Sequence, residues 1–176
     1  MKLSCLWSVL PLSICLAGII SSLPAQTTKP APKVEKNWHA PAKKIYAQIL
    51  LEEVMASRPD LLSLTFHGTP PDTNVHTMFA SSWPDRIGNA DDEYDIYFTV
   101  HAFTAVNPCL TNPALFIVVI PMKDVSGARI GTAIIGFKKP ANKVKDEPEY
   151  YAEAVAIRNE LQAKTQSFAA LFRPAP

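Results

Sequence analysis

Cysteine is nearly missing from this chain. Of its three cysteines, Cys5 and Cys15 fall within an apolar N-terminal run, and only Cys109 lies beyond it. An intramolecular disulfide is therefore excluded for the rest of the protein, and stability has to come from a packed core. No CxxCH occurs, so covalent haem attachment through that motif is excluded and no cofactor is implied. Charge of one sign is missing too, with 17 Lys and Arg against 16 Asp and Glu. Nothing here creates a net field toward nucleic acid or an anionic membrane, and a nucleic-acid role is set aside. Internal repeats are absent as well, and so is the G-x-S-x-G elbow that presents a serine nucleophile.

What is present begins with an export leader. Lys2 supplies a short positive region, Leu3 to Ile20 is mostly apolar, and Ser21-Ser22-Leu23-Pro24-Ala25 ends on small residues. This predicts cleavage after Ala25 and a periplasmic or secreted protein. Pro11 and Gly18 interrupt the run, which favours a cleaved leader over a spanning helix; an uncleaved N-terminal anchor is the other reading. Cys15 follows Ile14, too bulky for the residue before a lipobox cysteine. Residues 26–40 are rich in Pro, Lys and Thr and read as a linker, with one domain expected over 41–173.

Within that domain, PAKKIYAQILLEEVMAS sets Ile45, Tyr46, Ile49, Leu50 and Val54 at helical spacing, with Gln48, Glu52 and Glu53 turned outward and Pro41 at the start. Strands are predicted over Leu61 to His67, with Leu62, Leu64 and Phe66 on one face, and over Asn74 to Ser81. A loop, Ala80 to Tyr97, follows, with room for a short helix around Ala90 to Asp95. Ile96 to Val106 reads as a long third strand, Ala114 to Met122 as a buried fourth and Ile130 to Lys138 as a fifth, where Gly131 and Gly136 suggest bulges or close backbone approach. Glu149 to Phe172 is expected to be one helix. The order predicts an α/β domain of the α+β kind: a five-stranded antiparallel sheet, terminal helices over one face, the Ala80 to Tyr97 segment over the other, and a concavity beneath that segment.

FIVVIPMKDVSGARIGTAIIGFK, Phe116 to Lys138, resembles the closing hairpin of extracytoplasmic PAS-like sensor domains of the Cache type. There an apolar strand with a proline-containing dipeptide leads into D-x-x-G-x-x-I-G, which Asp124, Gly127, Ile130 and Gly131 fill here. A long N-terminal helix entering the first strand and a loop between strands two and three fit the same type. The resemblance implies a site for a small polar ligand, a carboxylate or an amine, between sheet and loop. With no kinase or methyl-accepting helix in the sequence, it also implies a free-standing exported module with no output domain of its own.

Candidate contacts come from the loop and the third strand. Arg86 offers a planar fork to a carboxylate, or else pairs with Asp85, Asp91 or Asp92 and pins the loop. Trp83 is a flat apolar wall or the loop's own anchor. Asp91 and Asp92, with Glu93 and Asp95, are expected to be mostly solvated, one of them capping a helix; an amine or a hard cation is the sharper alternative. On the third strand Tyr97, Thr99 and His101 share a polar-tipped face. His67, His76 and His101 show no metal-ligand spacing, so no metal site is expected, and no catalytic residue is assigned. The expected function is small-molecule binding. A small hydrolase in the same cavity and a protein-interaction module acting through the C-terminal helix are the alternatives.

Overall fold

The computed structural model describes residues 35–109, 112, 114–139 and 145–175. The expected leader, most of the expected linker and the boundary between them after Ala25 lie outside the described residues. Helix α1 (Tyr46–Ser57) leads into β1 (Leu61–Gly68) and β2 (Thr77–Ser81). A single 3₁₀ turn over Pro84–Arg86 and helix α2 (Glu93–His101) follow, then β3 (Ala105–Pro108), β4 (Leu115–Lys123), β5 (Arg129–Lys138) and helix α3 (Glu147–Lys164). The five strands form one antiparallel sheet in the order β2-β1-β5-β4-β3, so the architecture is α+β. Among the described residues no helix is long and apolar enough to cross a membrane.

One sheet face is the core. Leu64 and Phe66 of β1, Phe116, Val118 and Ile120 of β4, and Ile135 and Phe137 of β5 meet Leu50, Leu51 and Val54 of α1 and Tyr150, Ala154, Ile157 and Leu161 of α3. Tyr150 stacks on Phe116 with ring centroids 4.1 Å apart. The first strand departs from its predicted alternation at the start. Its register shifts between Leu61 and Ser63, which buries Leu61 and leaves Leu62 36% exposed. Gln48, expected outside, is buried because its amide exchanges hydrogen bonds with the backbone of Ser81, Nε2–H to the carbonyl and Oε1 from the N–H, both at 3.0 Å. It thereby ties the edge strand β2 to α1.

Three helix boundaries differ from expectation. Helix α1 starts at Tyr46, and Pro41 stands outside it. The C-terminal helix stops at Lys164, where the Thr165 hydroxyl turns back on the Leu161 carbonyl; Phe168 and Leu171 belong to a separate turn that packs beside Phe79. The largest correction concerns Ile96 to Val106, read as one strand. Glu93–His101 is helix, and only Ala105–Pro108 pairs in the sheet. The aromatic and β-branched residues of YDIYFTVH favour a strand locally, but Asp92 caps a helix here. Its carboxylate accepts from the N–H groups of Tyr94 and Asp95, with Glu93 and Asp95 in the favourable first turn. Ala102, left-handed at φ 53°, ends it.

Helix α2 and the loop before it cover the second sheet face, as the element order required, while α1 and α3 share the first. The β4–β5 hairpin closes on Asp124, whose carboxylate accepts from the Ser126 and Ala128 N–H groups and the Ser126 hydroxyl, with Gly127 at φ 84°. That is the turn the D-x-x-G spacing predicts.

Candidate functional site

Alternation along β1 builds the site. Leu64 and Phe66 enter the core, so Ser63, Thr65 and His67 point the other way. Cross-strand pairing sets Ser63 beside Gly136, Thr65 beside Ile134 and His67 beside Thr132. These residues should face water in an open antiparallel sheet, yet His67 and Thr132 are 1% exposed and Thr65 is 5% exposed. The covering segment accounts for this. Gly88, at φ 85°, turns the chain so that Gly88 N–H reaches the Met78 carbonyl (2.8 Å) and Asp91 N–H the His76 carbonyl (3.3 Å), which carries the Asp91 side chain down onto His67. Gly131 contributes from the other side: its φ is 123° and a Cβ there would run into the His67 carbonyl.

His67 is the hub. Its Nδ1 lies 2.8 Å from Asp91 Oδ1 and 3.7 Å from Asp95 Oδ2, and its Nε2 lies 2.8 Å from Thr65 Oγ1. A carboxylate only accepts, so Nδ1–H donates to Asp91, and in the neutral ring Nε2 accepts from the Thr65 hydroxyl. The Asp91 side chain is 1% exposed, and its second oxygen, Oδ2, has no hydrogen-bond partner among the described residues. The Thr132 hydroxyl, in register with His67, is likewise buried and unpartnered. Asp95 is pushed up to about 6, chiefly by burial and then by the charges of Asp92 and Asp91, with His67 opposing.

Above this cluster opens a cavity of about 450 Å³. Thr65, His67 and Asp95 lie on one part of its wall, Ile117, Ile134 and Gly136 on another, and Trp83 and Arg86 on a third. The Arg86 guanidinium stacks on Trp83, 4.1 Å from the ring centroid. Among the described residues Arg86 forms no ion pair, so the two readings of it divide cleanly: it lines the cavity and does not pin the loop through Asp85, Asp91 or Asp92.

The structure therefore gathers Arg86, Trp83 and Asp91 into one place and separates the rest. Asp91 is not solvated, as had been expected, because His67 holds it inside. Asp92 is exposed and serves as the helix cap. Tyr97, Thr99 and His101 share no strand face, since they lie on α2: Tyr97 and His101 sit one turn apart on its outer side, centroids 4.5 Å apart, while the Thr99 hydroxyl is buried. The sequence reading had no reason to single out Thr65, set His67 aside as a metal ligand and expected Asp95 to be mostly solvated. The visible signal was the S-x-T-x-H alternation opposite L-x-F on a strand whose other face is fully buried.

The chain matches no family model, and no curated protein or solved structure matches it significantly.

Proposed function

We propose that this protein is an exported module that binds a small polar ligand in the cavity beneath α2. The observation that carries this reading is the cavity itself. At about 450 Å³ it falls in the range of small-molecule sites, and Thr65, His67, Arg86 and Asp95 are among its lining residues. Arg86, held flat on Trp83 and free of acidic partners among the described residues, offers its fork to a carboxylate. Asp95 and the Thr65–His67 pair add acceptors and a donor to the same lining, groups that a ligand bearing both an acid and an amine or hydroxyl would use.

The β4–β5 hairpin with its Asp124 and Gly127 turn, and the segment that crosses the sheet between β2 and β3, support the PAS/Cache-like reading on which a sensor-like role rests. The leader supports export. A partner protein on the exposed face of α3 is compatible with this role and predicts that charge reversal there impairs function in the cell while ligand binding persists.

The test is a thermal-shift and calorimetric screen of small carboxylates, amines and amino acids. A binder raises the melting temperature by mass action and is recovered unchanged; Arg86→Ala abolishes the shift. Turnover of the ligand would overturn the binding reading.

One observation favours a second reading. Thr65 Oγ1, His67 and Asp91 stand in the order nucleophile, base and orienting acid, both links at 2.8 Å. A hydrolase predicts ester turnover that Thr65→Val eliminates.

A further inference from the structure

We infer that His67, Asp91 and Asp95 form a binding site for one divalent transition-metal cation, of the zinc or manganese type, at the floor of the cavity. Their donor atoms lie within 4.8 Å of one another, the one such grouping of three among the described residues. Two of the edges bracket the spacing an ion imposes. Ligands about 2.0–2.2 Å from a metal stand about 3–3.5 Å apart, and His67 Nδ1 lies 2.8 Å from Asp91 Oδ1 and 3.7 Å from Asp95 Oδ2.

A second observation points the same way. Asp91 is a carboxylate with a 1% exposed side chain and an oxygen that nothing satisfies. A buried orphan acceptor of this kind calls for an explanation, and a cation held by both Asp91 oxygens supplies one. Two carboxylates packed against one imidazole also bring negative charge together beside the buried His67 ring, which a divalent ion cancels. The donor set selects the ion: an imidazole nitrogen favours borderline ions over magnesium and calcium, which prefer oxygen alone.

The surroundings are those of a metal-binding histidine. When the ion replaces the proton on Nδ1, the proton must sit on Nε2, where Thr65 Oγ1 waits at 2.8 Å to accept it. That contact fixes the tautomer and the ring plane, as the partners of liganding histidines do. Access is from the cavity, because Asp95 lines it while Asp91 lies behind. The proton arrangement required is the reverse of the one a Thr65 nucleophile needs, so a bound ion and a Thr65–His67–Asp91 relay exclude each other.

The test uses the purified full chain, stripped with a chelator and titrated with zinc chloride, and separately with manganese, magnesium and calcium chlorides, by calorimetry. Expected are one equivalent of zinc at micromolar affinity or tighter, weaker manganese, and no comparable magnesium or calcium binding. Asp95→Asn, at the cavity edge, should weaken zinc by about a hundredfold or more, and Thr65→Val by about ten- to a hundredfold. Nitrogen NMR of the bound form should show Nδ1 without and Nε2 with a proton. Asp91→Asn makes the same prediction, and if that variant does not fold Asp95→Asn decides alone. Absence of one-equivalent binding, or binding unchanged in Asp95→Asn, overturns the inference. Neither result alters the Arg86→Ala ligand test, so the two proposals fail separately.

Discussion

The two faces of this sheet are built from alternate residues of the same strands, yet they obey different rules. Toward α1 and α3, Leu64, Phe66, Ile135 and Phe137 join one hydrophobic core, and Phe66 and Ile135 are wholly enclosed. Toward α2, Ser63, Thr65, His67 and Thr132 are buried almost as completely, yet they are polar. The first face stabilises the fold by removing hydrocarbon from water. The second removes polar groups from water, which costs free energy wherever a partner is lacking, as at Asp91 Oδ2 and Thr132 Oγ1. Burial alone thus says nothing of purpose. A covered polar face is a place where the fold has accepted a cost.

Four substitutions would break or sharpen that contrast. Phe66→Ala, on the apolar face, should destabilise by about 3–5 kcal/mol in denaturant unfolding and leave the chemistry of the other face unaltered. Asp95→Asn should act in the opposite direction. The folded-state value of about 6 lies above the ordinary 3.8, so the folded protein binds this proton more tightly than the unfolded chain does. The resulting stability is fully present below about pH 4 and is lost as pH rises through 6. In metal-free protein Asp95→Asn should therefore match the parent below pH 4 and exceed it by about 1–3 kcal/mol above pH 7. Equal stability of the two at pH 8 would show that the carboxylate is not held in a costly place. Thr65→Val leaves a buried imidazole nitrogen unpaired and should cost about 1–2 kcal/mol, read from the urea midpoint. Arg86→Ala, at the cavity mouth, should shift stability by less than about 0.5 kcal/mol while abolishing ligand-induced stabilisation.

The apolar face was largely legible from the sequence. Alternation in β1, the near-continuous run of β4 and the D-x-x-G turn of the β4–β5 hairpin are local signals, and local interactions decide them. Helix α2 was not legible as helix. Tyr97, Phe98, Thr99 and Val100 prefer extended backbone, and the decision rests with one cap, Asp92, and with the need to cover the sheet. That single misreading displaced Tyr97, Thr99 and His101 from where they had been expected. The site was half legible: Arg86, Trp83 and Asp91 were named from the loop. Their relation to His67 was not, because 24 residues separate His67 from Asp91 and only the Gly88 turn brings them together. Residue types announce what a group can do, whereas a long-range contact announces what it does it to.

Residues 35–38, inside the stretch read as linker, carry the last lesson. Asn37 and Trp38 N–H both reach the Gly88 carbonyl, at 3.0 and 3.3 Å, and Ala90 N–H reaches Glu35 at 2.9 Å. The Lys36 ammonium holds the Ile87 carbonyl and the Asn37 amide the His76 carbonyl, while Trp38 sets its ring edge-on against Phe172. The segment is thus tied to the turn between Arg86 and Asp91. These contacts brace the turn that seats Asp91 while Trp38 packs against the core, so removing residues 35–38 should loosen the segment that covers the second sheet face.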